Sequence, residues 1–214
     1  MSINSHGTFC GLVRATFLCV IANAFVLGCR QRSARVAAPK WQPDRFAAAV
    51  MSKLDENGDG LLDKSELAAA PGLTWGANHI DTNSDGVLSR EELIARFTMY
   101  RDLRVGQLSK SIQLSYRQRP LAGAQVQLSP EFFLEQVMEP AAGETGREGV
   151  VAPRIEESDL PGMRVGYYRV VVQSPNVKIP ARYGSADTTT LGVEVSPISE
   201  GSMSYGTIQL VLTD

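Results

Sequence analysis

Two twelve-residue segments, 55–66 and 81–92, share one pattern, and no other feature constrains the fold of this chain as strongly. Each segment has aspartate first, asparagine third, aspartate fifth, glycine sixth and glutamate last. Oxygen-bearing side chains at alternate positions of a tight loop converge on one point, and Gly60 and Gly86 permit the sharp turn that such a loop needs. The repeat predicts two similar loops that each bind a cation.

The segments resemble the EF-hand loop at every fixed position, and they therefore predict two Ca²⁺ sites. Ca²⁺ is a hard cation that takes about six to eight oxygen ligands. We expect side-chain oxygens from positions 1, 3, 5 and 12, a backbone carbonyl from position 7 and a contact through water from position 9. The predicted ligands are Asp55, Asn57, Asp59, Leu61, Asp63 and Glu66 in the first loop and Asp81, Asn83, Asp85, Val87, Ser89 and Glu92 in the second.

The residues around the loops predict how the two loops are arranged. Position 8 is apolar in both, Leu62 and Leu88, which favours a short two-stranded bridge between paired loops. The connecting segment 67–80 includes the helix-stopping pair Pro71-Gly72, so the helices between the loops must be short. We interpret the pair as a permanent structural unit, for which a dissociation constant of about 10⁻⁴ to 10⁻³ M suffices outside the cell.

The N-terminal segment 1–28 resembles a bacterial lipoprotein signal peptide. Arg14 precedes an apolar run at 15–27, which is shorter than the about 20 residues that a membrane-spanning helix needs. The run ends in Gly28-Cys29, and this ending resembles a lipobox. The resemblance implies that Cys29 is diacylated and becomes the mature N-terminus, with two acyl chains as a stable anchor. A buried helix or an uncleaved membrane anchor is the alternative.

Residues 29–43 are predicted to form a flexible tether, because they contain two prolines and show no apolar period. All three cysteines lie in the segment 1–29, so no disulfide framework supports the folded part. The folded part is predicted to consist of the EF-hand pair at 44–105 and a second domain at 106–214.

The second domain shows the two-residue apolar alternation of β-strands. Residues 111–116 and 124–128 alternate on either side of a turn and predict a hairpin. Further predicted strands lie at 150–155, 166–173, 190–195 and 205–212. Six or seven short strands over this length predict an antiparallel, Ig-like β-sandwich. The fold class is therefore α+β in two domains.

Several segments of the second domain resemble carboxypeptidase-regulatory-like, transthyretin-like domains. They are 119–126, 145–149 and 166–170, while 179–183 and 188–195 resemble the tail of that domain in bacterial envelope lipoproteins. The chain is thus similar to uncharacterised envelope lipoproteins that combine a tandem EF-hand pair with this sandwich. The resemblance implies an adhesive or stabilising domain without catalytic residues.

Composition and missing motifs exclude several functions. A formal charge of -2 is too weak a field for an electrostatically driven nucleic-acid binder. His79 is the only histidine after the predicted signal peptide, and we expect it to be a packing or surface residue. Neither a G-x-S-x-G motif nor a phosphate-binding glycine loop is present, and zinc sites lack cysteine and histidine ligands.

The sequence predicts an exported, calcium-binding protein that is lipid-anchored to the bacterial cell envelope, on its periplasmic or surface face, and is not an enzyme. Its partners are expected to be the membrane, through the lipid anchor, and an envelope protein or polysaccharide, with no nucleic acid. One alternative is a protein-recognition module of an envelope complex in which Ca²⁺ only stiffens a docking surface. A second alternative is a secreted hydrolase that uses surface carboxylates.

Overall fold

Four α-helices and ten strands are present in the computed structural model, which describes residues 36–198 and 207–214. The helices are α1 (Pro43–Leu54), α2 (Lys64–Leu67), α3 (Pro71–Ile80) and α4 (Arg90–Leu103), with a 3-10 turn at Ala181–Gly184. The strands are β1 (Leu61–Leu62), β2 (Leu88–Ser89), β3 (Ser111–Tyr116), β4 (Arg119–Pro120), β5 (Gln125–Pro130), β6 (Ala141–Glu144), β7 (Val150–Val151), β8 (Gly166–Gln173), β9 (Gly192–Val195) and β10 (Thr207–Leu212). This combination confirms the predicted α+β class. The predicted signal peptide 1–28, Cys29 and residues 30–35 of the predicted tether lie outside the described residues.

The helices begin where the sequence supplies suitable first residues. α1 and α3 start with Pro43 and Pro71, whose missing N–H would have no partner at a helix start in any case. α2 and α4 start with a capping box, in which the N-cap side chain and a glutamate three residues later each accept a backbone hydrogen bond. Those two glutamates are the last residues of the two predicted loops. Within the described residues, no helix has both the length and the apolar character needed to cross a membrane.

The two loops lie side by side, as the apolar residues at position 8 predict. β1 and β2 pair antiparallel, with Leu62 opposite Leu88, and both leucines are buried. α1 and α4, the first and last helices of the pair, pack against each other. The short bridge therefore joins the two loops into one unit.

Two four-stranded sheets form the sandwich. In the first, β3 pairs with β10, β4 and β7; the second has the order β6-β5-β8-β9 and is antiparallel throughout. The prediction of a wholly antiparallel sandwich is wrong at one pair, because β10 runs parallel to β3 over six residue pairs. These are the first and last strands of the sandwich, and a long connection between two strands leaves their relative direction free.

The predicted hairpin between 111–116 and 124–128 is also wrong. β3 turns back at Arg117 and Gln118, both with positive φ, into the short β4, whereas β5 lies in the other sheet and does not pair with β3. The chain crosses between the sheets after β4, at the buried Leu121 and at Gly123 with φ +67°. Alternation identifies the buried face of a strand but contains no information about the strand beside it.

The remaining strands agree with the alternation, with different ends. β8 has the predicted bounds, β7 is only two residues long, and β9 begins two residues later than predicted. β10 covers Thr207–Leu212, and the first two residues predicted for it, 205 and 206, lie outside the described residues. β6 was not predicted, because its sequence Ala-Ala-Gly-Glu has no β-branched or aromatic residue.

The helical part and the sandwich, predicted as separate domains 44–105 and 106–214, share one hydrophobic core in the described residues. Aromatic rings from both parts meet there: Phe97 of α4 lies 5.4 Å from Phe133 and 6.0 Å from Tyr167, measured between ring centroids. Phe133 follows β5, and Tyr167 belongs to β8. The core thus continues across the predicted boundary.

The C-terminal part of the predicted tether, residues 36–43, belongs to the fold. Trp41 is buried, and its ring stacks on Tyr100 at 5.0 Å. Farther back, the carbonyl of Val36 lies so close to Gly106 that a side chain there would meet it at 2.0 Å. A single tryptophan among polar residues and prolines shows no helical or alternating apolar period, so the sequence pattern did not identify Trp41 as a core residue.

Three glycines allow α3 to lie directly on the sandwich. A Cβ added at Gly192 of β9 would stand 2.0 Å from the backbone of Pro71, and one at Gly72 would stand 2.9 Å from the backbone nitrogen of Tyr168. One turn later, a Cβ at Gly76 would meet the Tyr167 ring at 2.8 Å. Such contacts require residues without a side chain, so the helix and the sheet are matched in shape along the first two turns of α3.

We expect Gly192→Ala to destabilise the folded state by about 1–3 kcal/mol, because the added methyl group forces α3 away from β9. Chemical denaturation measures this change. Gly184→Ala is the matched control, since nothing lies within 4 Å of a Cβ at that position. Equal stability of the two variants would contradict the close packing of α3 on the sandwich.

Candidate metal centre

The first loop joins α1 to α2, and its side chains fold back on its own backbone. Asp55 accepts a hydrogen bond from the Gly60 N–H at 3.1 Å, and the Asn57 side-chain oxygen accepts one from Asp59 at 2.8 Å. Asp59 in turn accepts one from the Leu61 N–H at 2.8 Å. The side chains at positions 1, 3 and 5 thereby each accept a hydrogen bond from the backbone of their own loop, and their convergence on a cation stays a prediction.

The second loop joins α3 to α4 and repeats these contacts position by position. Asp81 accepts from Gly86 at 2.9 Å, Asn83 from Asp85 at 3.0 Å, and Asp85 from Val87 at 3.0 Å. The agreement follows from the identical residue types at positions 1, 3, 5 and 6, because each bond joins a side chain to the backbone of a nearby position.

The last residue of each loop closes it. One carboxylate oxygen of Glu66 accepts the N–H of the second loop residue at 3.0 Å, and its other oxygen accepts the N–H of the ninth at 3.0 Å. Glu92 makes the same two contacts at 2.9 and 3.0 Å. Each glutamate therefore connects the start of its loop with the start of the following helix.

Burial distinguishes the two closing glutamates. Glu92 is 8 % exposed, whereas Glu66 is half-buried. Burial alone would raise the pKa of Glu92, but hydrogen bonds from Ser89 and Thr82 lower it below its ordinary value. The carboxylate that closes the second loop is thus held in its charged form, which is the form that binds a cation.

At position 9, Asp63 and Ser89 are the N-caps of α2 and α4. Asp63 accepts the N–H of Ser65 at 2.7 Å, and Ser89 accepts that of Glu92 at 3.3 Å. The hydrogen bond from the Ser65 side chain and those from the backbone lower the pKa of Asp63. A contact of these two residues with a metal through water stays a prediction.

The two loops differ in backbone strain. Gly60 and Gly86 have φ values of +81° and +85°, and nothing lies within 4 Å of a Cβ added at either position. Glycine is therefore favoured there by the left-handed backbone conformation and not by close packing. At position 4 the first loop has Gly58, but the second has Ser84 at φ +62°. A left-handed conformation costs a non-glycine residue about 1–2 kcal/mol, so the first loop is the less strained.

The donor set of each loop fits Ca²⁺, because all six predicted donors are oxygens, as a hard cation prefers. Within the described part of the chain, no three acidic, histidine or cysteine side chains form a group close enough to hold a metal. The carboxylates bind backbone N–H groups of their loops instead, and each predicted set also includes an amide and a backbone carbonyl. Binding therefore requires the carboxylates of a loop to turn toward a common point.

A buried glutamate that the sequence pattern did not single out, Glu194, connects residues on both sides of the second loop. His79, predicted to be a packing or surface residue, lies 2.9 Å from Glu194 of β9. Glu194 also accepts hydrogen bonds from Arg96 at 3.0 Å and from Tyr100 at 2.5 Å. The sequence feature that could have pointed to this contact is Glu194 itself, a single glutamate inside the otherwise apolar segment 191–195.

Comparison with known protein families supports the helical part. A family model described as EF hand matches residues 47–69 and 78–98, which include both loops. The chain therefore contains two EF-hands, a type of domain that binds calcium. Neither the curated proteins nor the solved structures contain a match to this chain. The resemblance of the sandwich to carboxypeptidase-regulatory-like domains stays a prediction.

We expect calorimetry to find two Ca²⁺ sites in the protein, one of which is lost in Asp55→Ala, the other in Asp81→Ala, and both in the double variant. At ten times the dissociation constant, each intact site should add about 1.4 kcal/mol to the free energy of unfolding. Thermal melts with and without Ca²⁺ measure this gain.

Asp102→Ala is the control for these variants, because Asp102 lies outside the loops and is paired with the neighbouring Arg101 at the surface. It should leave both sites intact. Binding that persists in the double variant, or that is missing from the unchanged protein at millimolar Ca²⁺, would refute the assignment of the loops.

Proposed function

We propose that this protein is a calcium-binding, lipid-anchored component of the bacterial cell envelope that has no catalytic activity and uses its sandwich to bind or support a partner. The observation that carries the calcium part is the pair of complete loops, whose predicted donors lie in the same order and whose side chains at positions 1, 3, 5 and 12 make the same backbone contacts in both. The sandwich shares a core with the loops, so Ca²⁺ would stiffen both parts together.

Lipid anchoring is proposed from the sequence around Cys29. The apolar run at 15–27 ends in Gly28-Cys29, and the basic residues that follow belong to a polar segment. Acylation of Cys29 would leave the mature chain without a free thiol, as suits an exported protein. The order of signal, anchor and folded part agrees with an envelope lipoprotein.

The absence of catalysis is proposed from what the polar groups of the described residues do. The acidic residues of the loops are accounted for by calcium. The two buried glutamates outside the loops in the described residues, Glu131 and Glu194, are both held in ion pairs with arginines, at 3.0 Å each. His79 contacts one of these glutamates. These contacts support a structural role for each of the three groups.

We expect Cys29→Ser to abolish incorporation of labelled fatty acid and to move the protein out of the detergent-extracted membrane fraction of the native host. Cys19→Ser is the matched control, because Cys19 lies inside the apolar run and ahead of the proposed cleavage point. Labelling and fractionation measure both effects. An unlabelled wild-type protein, or equal labelling of both variants, would contradict the anchor.

One surface cavity favours the alternative in which the sandwich is a recognition module. It has a volume of about 590 Å³ and lies beside the turn between β3 and β4. Its lining consists of Tyr116, Arg117, Arg119, Pro120, Leu121, Val177 and Lys178. Three of these residues are basic and none is acidic, whereas acidic residues outnumber basic ones in the chain as a whole. Arg117 is paired with Asp214 at 2.9 Å, so Arg119 and Lys178 supply the positive charge for a partner. An acidic segment of an envelope protein is the partner that this cavity suits.

We expect the double variant Arg119→Glu, Lys178→Glu to lose capture of such a partner from solubilised envelopes, because it reverses two charges at the cavity. Arg104→Glu, Arg154→Glu is the control, since it makes the same change at two other exposed positions. If calcium stiffens the docking surface, a chelator should also reduce capture by the wild type. Equal capture by both double variants would exclude the cavity as the docking site.

A further inference from the structure

One buried carboxylate of the sandwich, Glu194, receives its hydrogen bonds from the helical part. The residue is 6 % exposed and lies in β9. One of its oxygens accepts from Arg96 Nε at 3.0 Å and from the Tyr100 hydroxyl at 2.5 Å, and the other contacts His79 Nδ1 at 2.9 Å. A carboxylate buried this deeply is stable only because these partners replace the water it has lost.

The partners of Glu194 stand on both sides of the second loop. His79 is in α3, two residues before the first ligand of that loop, Asp81. Arg96 and Tyr100 are in α4, one and two turns after the last ligand, Glu92. The helix before the second loop and the helix after it therefore both form hydrogen bonds with the Glu194 side chain.

A second buried carboxylate fixes the other end of α3. Glu131 is fully buried and accepts the Gly72 N–H at 2.8 Å and Arg169 Nε at 3.0 Å. Arg169 also donates to the carbonyl of Ala69, just before the helix, at 2.6 Å. α3 is thus held at its start by Glu131 and at its end by Glu194.

The first loop has a different kind of support. The helix that enters it, α1, packs its buried Phe46 against Phe133 of the sandwich, 6.2 Å between ring centroids. It also forms a hydrogen bond of 3.1 Å to the sandwich between the exposed side chains of Arg45 and Gln136. Its last turn places the Lys53 ammonium over the Phe132 ring, 4.2 Å from the centroid. Exposed contacts of this kind are weak compared with a buried, charged hydrogen bond.

Glu194 is ionised in the fold. Burial alone would raise its pKa, but the hydrogen bonds from His79, Arg96 and Tyr100, together with the positive charge of Arg96, lower the pKa below its ordinary value. The negative charge is therefore part of the structure, and it lies 3.0 Å from the buried guanidinium of Arg96.

We propose that Glu194 is a positioning residue for the second calcium loop, which holds α3 and α4 at the separation that this loop needs to bind Ca²⁺. The inference rests on the proposed calcium function. Because coupling between two sites is reciprocal, Ca²⁺ in the second loop also tightens the attachment of the helices to the sandwich. The first loop depends on Glu194 much less.

The test uses full-length protein in detergent and two parent variants, each with one loop. Asp55→Ala leaves the second loop, and Asp81→Ala leaves the first. Adding Glu194→Gln, which keeps the shape of the side chain but removes its charge, should raise the Ca²⁺ dissociation constant about tenfold or more in the Asp55→Ala parent and less than twofold in the Asp81→Ala parent. Isothermal titration calorimetry measures both constants.

Glu139→Gln is the matched control, because Glu139 is a more exposed sandwich carboxylate that is paired with Arg164 at 3.0 Å. It should change neither constant. Tyr100→Phe removes one hydrogen bond to Glu194 and keeps the ring, so it tests the same contact if Glu194→Gln does not fold. We expect it to weaken the second loop alone, by about threefold.

The outcomes separate this inference from the function on which it rests. No Ca²⁺ binding in the unchanged protein or in either parent would overturn both, whereas binding by the Asp81→Ala parent alone would overturn the positioning role only. Unchanged binding after Glu194→Gln, or after Tyr100→Phe where Glu194→Gln does not fold, would overturn the positioning role and leave the calcium function standing. Equal weakening of the two loops would also overturn it, because a general loss of stability would then explain the effect.

Discussion

The packing of α3 against β8 and β9 is the constraint on which the rest of the structure depends. The helix connects the two calcium loops, and it lies so close to the sheet that glycine is required at Gly72, Gly76 and Gly192. Hydrogen bonds to buried carboxylates set its position along the sheet at both ends. Because α3 is fixed in this way, the positions of the loops before and after it are also set. α4 then contacts the same sheet through Arg96 and Tyr100, which donate to Glu194 of β9.

The shared aromatic core makes the helical part and the sandwich depend on each other for stability. Trp41, Phe97 and Tyr100 from the helical part pack among themselves and against Phe133 and Tyr167 from the sandwich. A helical pair of about 60 residues would bury little apolar surface by itself. The sandwich supplies the missing surface, so the loops belong to a larger cooperative structure.

The calcium loops were predicted well from the sequence, because each position of such a loop has its own chemical requirement and the contacts join residues within twelve positions. The bridge between Leu62 and Leu88 followed from the same repeat. Strand positions in the sandwich were predicted by alternation, which is also a local property. The pairing of strands was not predicted, since β3 and β5 alternate in the same way but belong to different sheets.

The attachment of the helical part to the sandwich was not predicted either. Gly76 and Glu194 lie in contact although they are far apart in the sequence, and neither has a local pattern that names the other. A glycine in a short helix indicates weak helix propensity, and only the folded structure reveals that it meets a tyrosine ring.

The parallel pairing of β3 with β10 has a consequence for the order in which the chain can fold during synthesis. The loops and their bridge need only residues up to Arg104, which leave the ribosome early. The first sheet is complete only with its last strand, so β3 has its antiparallel neighbours β4 and β7 before its parallel neighbour β10, which begins about 90 residues after β3 ends, and long-range pairing of this kind is slow. Because α3 rests on β8 and β9, the calcium loops are also made well before the surface that supports them, and the nascent chain has an interval in which its helices have no sheet to cover.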